Sequence, residues 1–346
     1  MVSIEIVRPE FSAGSEKRFS EFIGALDGKL ALISHTDLDG LASAKVANAV
    51  LQADMLEFLD YEAINDSLVS RLKKNKIKTV VFTDISIDES KIIKKIEKFA
   101  RILIIDHHKI GEDFNSEKTV FLNAQGYCAA YICYYLFSKI RNIEKLDWFI
   151  ACACVADWQY ILNNVWINSI YEKYGDKFIG TIEGVKKSTK LYPIGYDISL
   201  ALIYFDHDFK NVYDKIGDSF GEIGDLKKYA SIVLKEINEY GKKFEKEKAE
   251  ISDGYFWEIK SKFGIKAILI NQISSEYLNK TIIFASIHNG NCSISARRQD
   301  GKVDVSDLCK KLVGDFGWAG GHARAAGGNF PEKYFEEFKK KLFAGG

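Results

Sequence analysis

Residues Leu32 to Ala44 read LISHTDLDGLASA. An apolar run leads in, a run of small residues leads out, and His35, Asp37, Asp39 and Gly40 stand between them. A strand that ends in polar groups and turns at once into a helix is half of a βα unit. KLALISH (29–35) supplies the strand and GLASAKVANAVL (40–51) the helix. The pattern recurs downstream. MLEFLDY (55–61), TVVFTDIS (79–86), RILIIDHH (101–108) and KTVFLNA (118–124) are short apolar runs, and the middle two are rich in β-branched residues. Parallel strands buried on both faces read this way. Helical periods separate the runs, so the expected fold class is α/β, with an N-terminal doubly wound parallel sheet. In such sheets ligands sit beyond the carboxyl ends of the strands.

The conspicuous polar residues fall at those ends. Asp37 and Asp39 follow the first strand, Asp84 ends the third, and Asp106, His107 and His108 end the fourth. Any one of these acids could cap a helix or make a turn. Capping does not explain three strand ends with clustered Asp and His. A further acid, Asp157, interrupts the very apolar helical stretch from Ala129 to Leu162. It needs a partner there, whether a metal, a helix end or a buried hydrogen bond.

The chain has 346 residues, 47% of them apolar and 28% charged, enough for two domains with real cores. No apolar run reaches the roughly 18 residues of a membrane span, and MVSIEIVRPE lacks the shape of a signal peptide, so no membrane partner is expected. Six irregularly spaced cysteines do not suggest a disulfide framework. Cys152 and Cys154 lie in the apolar run WFIACACVADW and read as core. A reducing cytoplasm fits. Basic and acidic residues balance at 48 each, which argues against coating long nucleic acid by charge alone but leaves room for a short, locally basic groove.

Three regions are expected: an N-terminal domain over 1–185, a helical connector over 186–252 with DLKKYASIVLKEINEYGKKFEKEKAEI as its long helix, and a smaller α/β domain over 253–346. FDHDF (205–209) could mimic a metal site but has no matching partners. In the last region YFWEI, IKAILI, TIIFASIH and CSISARR read as strands, before GWAGGHARAAGG (317–328) and a closing helix.

Acid-rich strand ends with added imidazole suit hard divalent cations, with a lean toward Mn²⁺. Asp37, Asp39, Asp84, His107 and Asp157 are enough for two ions, which together could hold a hydroxide and clamp a phosphoryl oxygen. His108 would stand beside them to hydrogen-bond the phosphate or pass a proton to the leaving oxygen. In the C-terminal region the glycines of GWAGGHARAAGG would let backbone amides approach a phosphate as a nest does. His322, Arg324 and either Arg297 or Arg298 would add charge-assisted donors.

HTDLDG, the Asp84 of FTDIS, IDHHK and the Asp157 of VADW resemble, in order, the four motifs of the DHH phosphoesterase family. SARR and GGHARAAGG resemble its associated C-terminal domain. The resemblance implies two domains with a catalytic cleft between them and two Mn²⁺ ions, with Mg²⁺ as an alternative. It implies metal ligation by Asp37, Asp39, Asp84, His107 and Asp157, with Asp84 as the bridge. His35 is a ligand or supports one. His108 then faces substrate, Asp106 orients a histidine of the motif, and Ser295, Arg297, Gly320, Gly321, His322 and Arg324 bind substrate. The glycine signature departs from the family pattern at Ala319, where a glycine is usual.

The leading expectation is an exonuclease or oligonucleotidase that releases nucleoside monophosphates from single-stranded RNA or DNA. The alternatives are a phosphatase of 3′-phosphoadenosine 5′-phosphate or a phosphodiesterase of linear or cyclic dinucleotides. An inactive replication or repair scaffold ranks last, because all five core ligands are present. The sequence leaves the oligomeric state open, a homodimer included.

Overall fold

In the computed structural model, residues 6–87, 90–181, 184–185, 190–206 and 208–345 are described. His207 of FDHDF lies outside them. The chain divides into two compact units, Met1–Ala230 and Ser231–Gly346.

In the first unit, α1 (Glu16–Gly24) precedes β1 (Lys29–Ser34), α2 (Leu38–Leu51), β2 (Met55–Phe58), α3 (Asp66–Lys74), β3 (Ile77–Thr83), α4 (Ser90–Glu97), β4 (Arg101–Asp106) and β5 (Thr119–Asn123). The apolar helices α5 (Ala129–Phe137), α6 (Asp147–Ala156) and α7 (Asn164–Lys173) follow, then the two-residue strands β6 (Gly180–Thr181) and β7 (Gly184–Val185), then α8 (Leu191–Phe205) and α9 (Phe209–Lys215). The five long strands pair in parallel in the order β2-β1-β3-β4-β5. One core, on the side of α2, α5 and α6, takes Leu30, Leu32, Val81, Leu103 and Ile105. A second core takes the alternate residues Ala31, Ile33, Val80, Phe82, Ile102 and Ile104 with α3 and α4. Both faces are therefore covered, and this is why these strands read as unbroken apolar runs.

Gly40 has a steric reason. A Cβ there would stand 2.3 Å from the His35 carbonyl oxygen, so only glycine lets α2 start directly against the turn that carries His35 and Asp37. Asp37 caps that helix, its Oδ1 accepting the Gly40 amide at 2.9 Å.

Helix α10 (Leu226–Glu247) runs from the first unit into the second. It is shorter than the polar periodic run suggests, because Ala249–Ile251 is already a strand, β8. β9 (Gly254–Glu258), α11 (Lys266–Glu276), β10 (Thr281–His288), β11 (Asn291–Arg297), α12 (Val305–Val313), β12 (Trp318–His322), β13 (Ala325–Pro331) and α13 (Phe335–Phe343) complete the unit, with sheet order β12-β13-β11-β10-β9-β8. One strand expectation fails. IKAILI is not a strand but the start of α11: Ile265, Leu269, Ile270 and Ile273 are buried at helical spacing, and the run continues into the helix-compatible NQISSE. A six-residue apolar run carries too few periods to separate the two.

Among the described residues no helix is long and apolar enough to cross a membrane. All six cysteines are buried and free.

Candidate metal centre

The carboxyl ends of β1, β3 and β4 bring His35, Asp37, Asp39, Asp84, Asp106, His107 and His108 together, and the C-cap of α6 adds Asp157. Asp84 is the centre of the arrangement. It leaves β3 with φ of 58°, a left-handed conformation that Asp tolerates better than most side chains and that clusters at functional sites. Its amide donates to Ile105 O at 3.0 Å, so the turn is pinned to β4. Its side chain is 1% exposed. One carboxylate oxygen, Oδ1, lies 3.3 Å from His107 Nε2, and the other, Oδ2, lies 3.8 Å from His35 Nδ1. The carboxylate thus faces two groups of donors. His35, Asp37 and Asp84 form one; Asp39, His107 and Asp157 form the other, with His107 Nε2 at 3.8 Å from Asp39 Oδ2 and 3.6 Å from Asp157 Oδ2.

Burial and like charge dominate the electrostatics. Burial, then the charges of Asp39, Asp37 and Asp106, push Asp84 well above the usual carboxylate range. The same influences push Asp157 up to about 9. Burial raises Asp39 too, against the pull of His107. Asp37 departs the other way: against the cost of desolvation, His35 and the Gly40 amide hold it at about 2. So many carboxylates cannot ionise together in so small a volume without cations. Three buried polar atoms fit that need. Asp84 Oδ2, Asp157 Oδ2 and His35 Nδ1 have no hydrogen-bond partner, although His35 Nδ1 lies 3.0 Å from Asp37 Oδ2. Seven other buried side-chain atoms among the described residues, Trp148 Nε1 and Trp166 Nε1 among them, also lack a partner, so these three count through their place among the carboxylates and imidazoles. Carboxylate oxygens are donors that both Mn²⁺ and Mg²⁺ take, and the imidazole nitrogens lean the set toward Mn²⁺.

Asp39 has a structural duty as well. Its two oxygens accept the Ala129 and Ala130 amides at the start of α5, each at 2.7 Å, which fixes α5 against the site. Asp39→Ala leaves both amides buried and unpaired. Each unpaired amide costs about 1–3 kcal/mol, so roughly 2–4 kcal/mol remains after relief of charge repulsion. A urea-unfolding midpoint on the metal-free protein measures it, and an unchanged midpoint contradicts the anchoring role.

His108 points its Nδ1 at Asp106 Oδ1, 2.8 Å away, while its Nε2 lies 3.3 Å from the Tyr61 hydroxyl. Burial works against a charged His108, but Asp106 more than offsets it and raises the histidine's pKa. A proton-donating imidazolium is therefore favoured. Asp106→Asn should lower turnover about 10- to 100-fold with the fold intact. It should also move the alkaline limb of the pH–rate profile to lower pH, because the imidazolium loses its anionic partner. A limb that stays in place removes His108 from the proton path.

The sequence reading missed Tyr61. Its ring stacks on His35 at 4.8 Å between centroids and meets the His108 ring edge-on at 6.0 Å. It thus links His35 of the first donor group to His108 beside the site. Nothing in MLEFLDY marks Tyr61; the pairing of β2 with β1 is what brings it beside His35. Asp60 was missed for the same reason; it accepts a hydrogen bond from the Thr36 hydroxyl.

In the second unit the expected substrate-binding residues separate. The glycines form no nest. Trp318–His322 and Ala325–Pro331 pair as an antiparallel hairpin, with Gly320 opposite Gly327. Ser295, Arg297, Gly320 and His322 fall on one sheet face by strand alternation. Gly321, with φ of 135°, lies on the opposite side of the pleat, where a Cβ would stand 2.5 Å from Ala325 O. Arg324 sits in the hairpin turn beside Gly301. Of the two arginines of SARR, Arg298 is 3% exposed and held by Asp253 and Asp300 at 2.7 and 2.6 Å, a structural role. Arg297 donates through Nε to Asn271 at 2.7 Å and through Nη1 to the Ala296 carbonyl at 2.9 Å.

Residues 29–156 match the profile described as the DHH family, N-terminal domain, and residues 257–344 match the DHHA1 domain. No curated protein sequence matches. Solved structures do. One of exonuclease RecJ bound to manganese aligns at 15% identity and a TM-score of 0.66, covering 98% of this chain and 95% of that one. RecJ from Thermus thermophilus in complex with Mn²⁺ aligns at 14% and 0.68, covering 99% of this chain and 55% of that one. A pGpG-specific phosphodiesterase, PggH, from Vibrio cholerae aligns at 15% and 0.55, covering 92% and 100%. At such identities the likeness establishes a shared fold.

Proposed function

The chain belongs to the DHH family of phosphoesterases and carries a DHHA1 domain, and from that premise we propose that it hydrolyses phosphodiester bonds at the ends of short single-stranded RNA or DNA, releasing nucleoside monophosphates. The observation that carries this reading is the buried Asp84 carboxylate, whose two oxygens face separate donor groups. Asp37, Asp84 and His35 would hold one ion and Asp39, His107 and Asp157 the other, with Asp84 between them. Bound there, Mn²⁺ or Mg²⁺ supplies Lewis acidity toward a phosphoryl oxygen and a water acidic enough to ionise near neutral pH.

The protein's own groups do the rest. Asp106 fixes the His108 ring through Nδ1, and the opposite nitrogen, which lies 3.3 Å from the Tyr61 hydroxyl, is the one that would exchange that contact for substrate. From there His108 can donate a proton to the leaving oxygen as the phosphorus–oxygen bond breaks and water's oxygen takes its place. Tyr61 keeps both His35 and His108 from rotating away. On the DHHA1 sheet, Arg297 and His322 would bind phosphate oxygens, with Ser295 and the side-chain-free Gly320 leaving room beside them. Balanced net charge suits short substrates better than long duplexes. Six buried free cysteines suit a reducing cytoplasm.

A second reading, a dinucleotide phosphodiesterase, is favoured by the fold match to the pGpG-specific enzyme over 92% of this chain. Both are tested by one time course with Mn²⁺ on end-labelled RNA and DNA of two to about twenty nucleotides, with linear and cyclic dinucleotides and 3′-phosphoadenosine 5′-phosphate alongside. Faster release of mononucleotides from oligomers supports the first reading and a dinucleotide-only activity the second. No metal-dependent cleavage of any of them overturns both.

A further inference from the structure

Trp318 is 65% exposed, in a unit whose other tryptophan, Trp257, is 5% exposed. The strand register says what surrounds it. Across β11, β13 and β12, Ser293, Asn329 and Trp318 form one row, Ser295, Gly327 and Gly320 the next, and Arg297, Ala325 and His322 the third. All nine lie on one face, because side chains alternate along a strand. The opposite face buries Ile294, Ala296, Ala326 and Phe330 against α12 and α13. On the first face α11 reaches Arg297 through Asn271, and Trp318, Asn329 and His322 remain exposed.

The indole does not stand away from the sheet. A Cβ on Gly320 would be 3.1 Å from Trp318 Cζ2 and 3.5 Å from Cη2, so the edge of the six-membered ring stands over Gly320. One side of the ring is supported by the strand and the rest meets solvent. A side chain at 320 would have to push the ring off its seat. An indole held this way, on the face that also carries His322 in the same strand and Arg297 two strands over and two rows along, matches how proteins meet single-stranded nucleic acid. Cationic groups take the phosphate, and an aromatic face takes whichever base follows.

We infer that Trp318 is a base-stacking platform, which receives a nucleobase of the substrate and makes the protein select base-bearing phosphodiesters over bare ones. The inference rests on the nucleic-acid reading above and adds the residue that reads the base. Stacking of this kind predicts tolerance of all four bases, since every base offers a π-face.

The test uses the whole 346-residue chain with Mn²⁺. The substrates are a short oligonucleotide and versions abasic at the first, second or last nucleotide. Trp318→Ala should raise KM for the base-bearing oligonucleotide roughly ten- to a hundredfold and leave kcat within about twofold. Trp318→Phe should restore most of the loss. For the version abasic at the stacked position, the parent and Trp318→Ala should share one KM. An unchanged KM, or an equal rise on every abasic version, overturns the platform. Quenching of tryptophan fluorescence by AMP, compared with ribose 5-phosphate, separates this from failure of the nuclease reading. If no oligonucleotide is cleaved, quenching by AMP in the parent that disappears in Trp318→Phe still supports the stack. Equal quenching in both proteins rejects it.

Discussion

Asp84→Asn should abolish turnover and, in the same protein, raise the melting temperature of the metal-free form. The two effects come from one atom exchange. The carboxylate sits 1% exposed among Asp37, Asp39 and Asp106, and burial with their charge disfavours its ionised form. An amide of the same shape removes that repulsion. The backbone does not resist, because Asn accepts the left-handed conformation at φ of 58° at least as well as Asp. The amide nitrogen, however, cannot donate electrons to a cation, so a group facing both donor sets loses one of its two ligand atoms. Metal-borne stabilisation of a phosphoryl transition state is worth several kcal/mol, and each 1.36 kcal/mol is tenfold in rate. A loss of roughly 10³-fold or more is therefore expected. Calorimetry without metal and initial rates with Mn²⁺ measure the pair. A variant that loses activity and stability together has simply been damaged.

The second large effect is a stabilisation by metal that grows with pH. Asp39, Asp84 and Asp157 all have raised pKa values in the folded chain, against roughly 3.9 unfolded. A raised folded pKa means that folding favours the protonated form. The stability it contributes is complete below about pH 4 and drains away as pH rises through the folded value, which for Asp157 is about 9. The metal-free protein should therefore weaken from mildly acidic to mildly alkaline pH. Cations bind the deprotonated form and reverse the trend. At a hundredfold excess over Kd, binding contributes about 2.7 kcal/mol. For a unit of this size that is roughly 5–10 °C in melting temperature. Melts with EDTA and with Mn²⁺ at pH 5.5 and 8.5 should diverge more at the higher pH. A metal shift that is equal at both, or larger at pH 5.5, contradicts the assignment.

Much of the first unit was legible because its chemistry is local in sequence. The three central strands are buried on both faces, so Leu30–Ile33, Val80–Phe82 and Ile102–Ile105 stand out as apolar runs, and each run stops at the acids that matter. Asp157 was legible as a charge inside an apolar stretch, with a helix end among its readings, and it does cap the end of α6. What stayed hidden was non-local. That Asp39 holds the first amides of α5 requires bringing together residues 39 and 129, and nothing in either stretch signals it. Tyr61 looks like the last residue of a strand until the parallel pairing of β2 with β1 sets it beside His35. The DHHA1 glycines misled because glycine fits a phosphate nest and a tight hairpin equally well, and the ladder of Gly320 with Gly327 decides between them. IKAILI misled because six apolar residues are too few to reveal a period.

Phosphodiester cleavage by this chain is proposed to depend on paired cations at Asp84. Release of mononucleotide from a five-residue oligoribonucleotide, followed as Mn²⁺ is titrated into EDTA-treated and then desalted protein, reads that dependence out. No release is expected without metal, then a rise that saturates near two ions per chain, and no rise at all in Asp84→Asn. Cleavage that persists in EDTA, or an Asp84→Asn protein that cleaves like the parent, would show that the cations at Asp84 do not drive the reaction.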